Sequence, residues 1–372
     1  MSASDESARS MQPKKPESLS PFARSSRAQK QHWRTRASAI EEDQPARAMS
    51  KPKVLLTRPD IPAQSLELLR SFADVEVQPK QRPITKEELI ASIQDKDALL
   101  CMLTDPVDKE VIDAGANLKV IATMSVGYEH IDSEAAKARG IAVTNTPDVS
   151  SDSVAELTVT LMLAAGRRVV EAATTIKNGH WIHSWGPQWL CGHGLAGATI
   201  GFVGMGKIAR SVLAHCQAFG IKEAIYFDKF HPIEPAERMG AKFRPLDEVL
   251  AKADFIVTLT NLNEETRHMF NAATFTKMKK NCVFVNTSRG GVVDQDALYD
   301  ALKNGVIRAA ALDVSEPEPL PADSKLLTLD NLIVTPHIGS AESNVRVQMA
   351  TLAVNNIRVV VEGKPALTPI RS

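Results

Sequence analysis

From residue 53 onward, short runs of β-branched and aliphatic residues alternate with longer stretches in which apolar positions recur every three or four residues. The short runs predict strands: KVLLT from 53, VEVQP from 75, ALLCML from 98, KVIATM from 119 and IAVTN from 141, then TIGFVG from 199, AIYFD from 224, DFIVTL from 254, CVFVN from 282, AAALDV from 309 and LIVTP from 332. Strands apolar along their whole length are covered on both faces, and alternation with helices makes them parallel. Eleven such runs exceed what one sheet needs, so the pattern predicts an α/β chain of two doubly wound parallel-sheet domains. The smaller lies before about residue 150 and the larger after it. VAELTVTLMLAAG carries Glu156 and runs into Arg167 and Arg168, too short and too interrupted to cross a bilayer; it predicts a buried connecting helix that begins near Ser153.

The first 50 residues break the pattern, being rich in Ser, Arg, Lys and Pro with little aliphatic periodicity, and are expected to be disordered. A mitochondrial presequence is the alternative for SLSPFARSSRAQKQHWRTRASA, but Asp5, Glu6 and Glu17 precede it and its amphipathic period is poor, so a solvated tail is preferred. Met49, just before KVLLT, is an alternative start, and the final IRS does not read as a peroxisomal address. Lys plus Arg and Asp plus Glu are equal at 44 each, which gives no excess charge to draw nucleic acid or an anionic membrane and leaves a small molecule as the expected partner. Cys101, Cys191, Cys216 and Cys282 show no paired spacing, so neither a disulfide framework nor a zinc knuckle is expected, and a reducing compartment, the cytoplasm, suits them. His180, His183, Cys191 and His193 also fit no standard ligand spacing, so no metal is expected.

The unusual residues gather after the strands. Asp228 closes one, Asn261, TSRGG, DVSEPEP and PHIGS follow others, and SVG at 125–127 follows a strand of the first domain. Ligands of open α/β sheets bind beyond the carboxyl ends, so these segments should converge. GFVGMGKIARSVLAHCQAFG sets Gly204, Gly206 and Ala209 in a G-x-G-x-x-A fingerprint between a strand and a helix, with Ile208, Val212, Leu213, Cys216 and Phe219 at helical spacing. This predicts a Rossmann site with a pyrophosphate on the amides of Gly206, Lys207 and Ile208. Asp228, 24 residues after Gly204, should accept from the ribose hydroxyls and favour NAD(H), while Lys229 keeps NADP(H) open.

Three ionisable residues lie beyond later strands: Arg289, Glu318 and His337, the last two 29 and 48 residues after the first. With the fingerprint, SRGxxVD, LDV…EPLP and TPHIGSA, residues 51–370 resemble the D-isomer-specific 2-hydroxyacid dehydrogenases. TMSVG, TPDV, SWGPQWLCGHGL and PEPLPxxxxLLTLxN are most similar to the branch that reduces glyoxylate and hydroxypyruvate. The resemblance implies a flavodoxin-like substrate domain at 51–150, completed by 341–372, and an NAD(P)-binding Rossmann domain at 151–340.

It also implies roles. His337 donates a proton to the oxygen that gains charge as hydride reaches the 2-oxo carbon, Glu318 binds the other ring nitrogen and favours its charged form, and Arg289 grips the substrate carboxylate and carbonyl. Amides of Val126 and Gly127 complete the carboxylate pocket, with Ser340 beside them. Asp313 lies by the nicotinamide carboxamide, and Asn261, Thr287 and Gly339 line the cofactor, Asn261 standing where the family more usually has proline. The chain is implied to be a homodimer in which Trp185 reaches the neighbouring subunit's substrate pocket; filling of an interface core by Trp181, Trp185 and Trp189 is the alternative. The implied activity is reduction of glyoxylate and hydroxypyruvate to glycolate and D-glycerate. Rival readings are another D-2-hydroxyacid dehydrogenase, acting on phosphoglycerate or larger 2-oxo acids, and an NAD-sensing corepressor resembling the C-terminal binding proteins. No regulatory extension follows residue 372, which weighs against the long phosphoglycerate type.

Overall fold

The computed structural model describes residues 50–370; the readings made on residues 1–49 lie outside them. The first sheet is built from β1 (Lys53–Leu56), β2 (Asp74–Val77), β3 (Ala98–Cys101), β4 (Val120–Thr123) and β5 (Ala142–Thr144). The second contains β6 (Thr199–Val203), β7 (Glu223–Phe227), β8 (Lys242–Phe243), β9 (Phe255–Thr258), β10 (Val283–Asn286), β11 (Ala309–Leu312) and β12 (Leu332–Val334). Their orders are β2-β1-β3-β4-β5 and β12-β11-β10-β9-β6-β7-β8, with every pairing parallel. The chain winds outward to one side and then the other, so the order reverses between β1 and β3 and between β6 and β9, the places where such sheets open crevices for ligands.

Successive side chains of a strand point to opposite faces, and both faces of the first sheet are filled. Val54, Leu56, Leu100, Val120 and Ala122 pack on one side, Leu55, Leu99, Cys101 and Ile121 on the other. The helix Ser343–Val361 covers the former with Met349, Ala350, Ala353, Val354 and Ile357, after which Ile370 donates its amide to Val143 O at 3.0 Å. The helix Ser151–Gly166 runs between the sheets and buries Val159, Met162 and Ala165 against the second core.

All eleven anticipated strands are present among the described residues. β8 is an addition, two residues long and too short to leave a periodic signal. The helix after the glycine loop ends at Gln217, and Gly220 turns the chain with φ 69°. Phe219, expected on the apolar face, therefore falls past the helix and is 43% exposed.

Candidate active site

The glycine loop joins β6 to the helix Lys207–Gln217. Gly204 has φ 87°, and a Cβ there would come within 2.6 Å of the Leu259 carbonyl oxygen, so only glycine lets the loop pass. Gly206 is the N-cap and has no side chain to satisfy the first helical amides; a Cβ on it would meet nothing within 4 Å. Orphan amides of Lys207 and Ile208 thus begin a helix beside open space, a cradle that fits a pyrophosphate. Asp228 braces the loop from the end of β7: Oδ2 accepts from the Met205 amide at 2.8 Å and Oδ1 from the Phe230 amide at 2.9 Å. Each oxygen keeps a further acceptor site for a hydroxyl. Lys207 turns its Nζ to Asp148 at 2.6 Å, and Lys229 places Nζ 2.6 Å from both oxygens of Glu265. Ile208 is partly buried, whereas Asn261 is exposed beyond β9 with its carbonyl accepting from Thr266 Oγ1 at 2.6 Å.

Beyond β12 the chain turns through His337, whose φ of 54° lies in the left-handed region. His337 Nδ1 is 2.8 Å from Glu318 Oε2. A carboxylate only accepts, so Nδ1 carries the proton and Nε2 remains for chemistry. Burial works against the Glu318 carboxylate, but the His337 hydrogen bond and charge, the Ser315 amide and the Arg289 charge outweigh it and hold the group below the usual glutamate value. Asp313, 2% exposed at the end of β11, ties this turn together. Its Oδ1 accepts from Thr335 Oγ1 at 2.6 Å and the Ile338 amide at 2.8 Å, its Oδ2 from the Gly339 amide at 2.8 Å, and its backbone oxygen from the His337 amide at 2.9 Å. The Asp313 carboxylate thus braces the loop that follows β12, and Oδ2, with one donor, keeps a further acceptor site. Gly339 is anchored by its carbonyl to Ser153 Oγ at 2.7 Å, Ser340 is half-buried next to it, and Thr287 is buried with its hydroxyl 2.8 Å from that of Thr158.

Arg289 follows β10, where Gly290 packs so close to Ser315 that a Cβ would lie 2.1 Å from its carbonyl. That contact brings the arginine loop against the Glu318 loop. The guanidinium reaches across to the first sheet and lies on Gly127: a Cβ there would be 1.6 Å from Arg289 Nη2. Nη2 is also 3.3 Å from Glu129 Oε2, and Nη1 donates to the Ser288 carbonyl at 2.7 Å. His337, Glu318, Arg289, Val126 and Gly127 therefore meet where the ends of β4, β10, β11 and β12 converge.

The D-isomer specific 2-hydroxyacid dehydrogenase, NAD binding domain family model matches residues 159–339. Glyoxylate reductase/hydroxypyruvate reductase of Homo sapiens is 45% identical over 84% of this chain and 96% of its own length. The chain belongs to the D-isomer specific 2-hydroxyacid dehydrogenases. Glyoxylate reductase of Thermofilum pendens is 46% identical over 86% of the chain and 95% of its length. A solved glyoxylate reductase from Paecilomyes thermophila aligns with TM-score 0.77 at 31% identity, covering 87% of this chain and 99% of that one.

Within this dehydrogenase several contributors escaped motif reading. Glu129 and Asn145 belong to no sequence motif, yet Glu129 meets Arg289 Nη2 at 3.3 Å and Asn145 Nδ2 donates to the Val126 carbonyl at 2.7 Å. Trp185 is 77% exposed and forms a surface recess with Ile176, Trp181, Trp189 and Leu190, outside the cluster around His337. No helix among the described residues is long and apolar enough to cross a membrane.

Proposed function

We propose that this dehydrogenase reduces glyoxylate and hydroxypyruvate to glycolate and D-glycerate with NAD(P)H. One observation carries the reading: the His337–Glu318 pair at 2.8 Å engages Nδ1 and leaves Nε2 of the imidazole for proton transfer, while Glu318 also feels the charge of the Arg289 guanidinium that lies on Gly127. The curated relatives above bear names for that activity. Gly204, Gly206, Lys207 and Ile208 would hold the dinucleotide's phosphates and Asp228 its ribose, with Asn261, Thr287, Asp313 and Gly339 along its path; a reduced nicotinamide bound there would supply hydride, one proton with two electrons, to the 2-oxo carbon.

The chain's own residues do the rest. Arg289 pairs with the substrate carboxylate and carbonyl oxygen, while the amides of Val126 and Gly127 take the outer carboxylate oxygen and Ser340 flanks them. Charge growing on the carbonyl oxygen is met by the guanidinium and quenched by the Nε2 proton of His337, and Glu318 stabilises the imidazolium that delivers it. In the oxidative direction neutral His337 takes the hydroxyl proton. Asp228 favours NAD(H), because a 2′-phosphate beside it would face a carboxylate, and the Lys229–Glu265 pair occupies the cation that would oppose this preference. The surface tryptophans suit a homodimer in which Trp185 closes the partner's pocket around acids of two or three carbons. Free cysteines, three of the four buried, suit a reducing cytoplasmic setting. Initial rates with glyoxylate, hydroxypyruvate, pyruvate and phenylpyruvate, each with NADH and NADPH, test the proposal. Glyoxylate and hydroxypyruvate should lead with NADH, and preference for phenylpyruvate would overturn it.

A further inference from the structure

The loop after β4 must present two amides to a carboxylate, and neither the Val126 nor the Gly127 N–H has a hydrogen-bond partner among the described residues. What fixes their direction lies on the opposite side of each peptide. A trans peptide is planar, so its N–H points away from its C=O. The carbonyl that shares a peptide with the Gly127 N–H is that of Val126, and it accepts from Asn145 Nδ2 at 2.7 Å. The carbonyl paired with the Val126 N–H is that of Ser125, and it accepts from the Thr146 amide at 2.8 Å. Both donors sit just past β5, so both N–H groups are turned away from that strand.

A second clamp holds the next peptide. Ser125 Oγ donates to the Gly127 carbonyl at 2.6 Å, which uses its only proton. Thr123 Oγ1, 2.7 Å from Ser125 Oγ, must then donate to it, and His130 Nε2, 3.2 Å from Thr123 Oγ1, must be protonated to donate in turn. Thr123 and Ser125 are 0% and 4% exposed, so the chain of donors is shielded from water. Asn145 is itself anchored: its carbonyl accepts from Thr368 Oγ1 at 2.7 Å, and Thr368 Oγ1 accepts from Asn356 Nδ2 at 2.8 Å. Asn356 is fully buried and also takes the Leu367 and Thr368 amides.

We propose that Asn145 and Ser125 are positioning residues for carboxylate recognition, fixing the peptides whose Val126 and Gly127 amides bind the acid end of the substrate. The inference rests on the assignment of those amides in the proposed function. It explains why the segment after Val361 returns to β5: Thr368, itself held by Asn356 of the helix, fixes the backbone of the residue whose side chain orients the anion seat.

The test measures binding of oxamate, a small unreactive carboxylate, to the NADH-loaded protein alongside glyoxylate kinetics. Asn145→Ala should raise the oxamate Kd and the glyoxylate KM about tenfold, the worth of one correctly aimed hydrogen bond, while kcat and the NADH Kd change less than about threefold. Ser125→Ala should do the same in lesser degree, and Ser125→Thr, which keeps the hydroxyl, should restore the wild-type KM. An unchanged oxamate Kd in both alanine variants overturns the assignment, as does parallel loss of NADH affinity, which marks general damage. Wild type that binds oxamate but does not reduce glyoxylate refutes the proposed reaction and leaves this inference standing; wild type that binds no oxamate removes the anion seat and the inference with it.

Discussion

Gly127→Ala is the sharpest perturbation of the cleft. The added methyl would lie 1.6 Å from Arg289 Nη2, 2.5 Å from Glu129 Oε2 and 2.8 Å from Arg289 Cζ. Non-bonded heavy atoms settle near 3.5 Å, so the guanidinium must retreat by roughly 2 Å. The obstacles are ends of side chains, not backbone, so the chain yields without unfolding, and the cost falls on substrate recognition. A charge-assisted contact to the substrate carboxylate is worth about 1.5–3 kcal/mol, and a misplacement of about 1 Å alone can cost about 100-fold. At about 1.4 kcal/mol per decade, kcat/KM for glyoxylate should drop by about two to three orders of magnitude. NADH binding, on the other sheet, should hold within about twofold. Steady-state rates followed by NADH absorbance, with fluorescence titration of NADH and a thermal melt as controls, decide the matter. A variant retaining kcat/KM within about threefold of wild type would show that Arg289 does not bind substrate from the position it occupies against Gly127.

His337→Gln should leave NADH affinity intact while turnover falls by about two orders of magnitude or more, the usual worth of a placed general acid; single-turnover rates equal to wild type would remove His337 from its role. Asp228→Ala should raise the kcat/KM ratio of NADPH to NADH, and should also weaken NADH because the Met205 amide loses its acceptor; an unmoved ratio refutes the ribose assignment. Acid should weaken the fold through His130. Burial pulls its imidazole down to about 4, Glu129 opposing and Arg289 reinforcing the effect. The unfolded chain takes up this proton below about pH 6.5 and the folded chain only near pH 4, so stability is lost as pH falls through that window, by up to about 3 kcal/mol. Urea midpoints at pH 7 and pH 4.5 should therefore differ more in wild type than in His130→Gln, and equal slopes contradict the assignment.

The strands and their order of function were legible because parallel strands buried on both faces are apolar throughout and residues such as Asp228, Arg289 and His337 break the run at its end. Glycine spacing revealed the dinucleotide loop for a similar reason: Gly204 answers a backbone constraint that a sequence must declare. Contacts between distant polar side chains left no such trace. Asn145 in VTNTP and Thr368 in ALTPI are ordinary loop residues until the C-terminal segment brings them together, and no periodicity encodes that. Glu129 was invisible as a partner of Arg289 because 160 residues separate them. Asp313 stood out in the sequence, but its four contacts to the loop after β12 did not, since they depend on a left-handed turn that the sequence PHIG does not announce.

That turn explains how the two arms of the site differ. A left-handed residue other than glycine costs about 1–2 kcal/mol, and a glycine at 337 would avoid it, but the imidazole would be lost. The cost is offset by Asp313, whose buried carboxylate collects Thr335, Ile338 and Gly339 around the turn, and the ring is fixed by Glu318 from the preceding loop. The residue proposed to donate the proton is thus held at backbone and ring alike, which limits its reorganisation at the moment of transfer. Arg289 is held more loosely, by one carbonyl and a 3.3 Å contact to a partly exposed glutamate, so its fork can leave Glu129 for an incoming carboxylate. A rigid acid facing an adaptable grip is what a reductase of small oxo acids requires: the substrate has little surface with which to align itself, so the groups that transfer charge must already be in place.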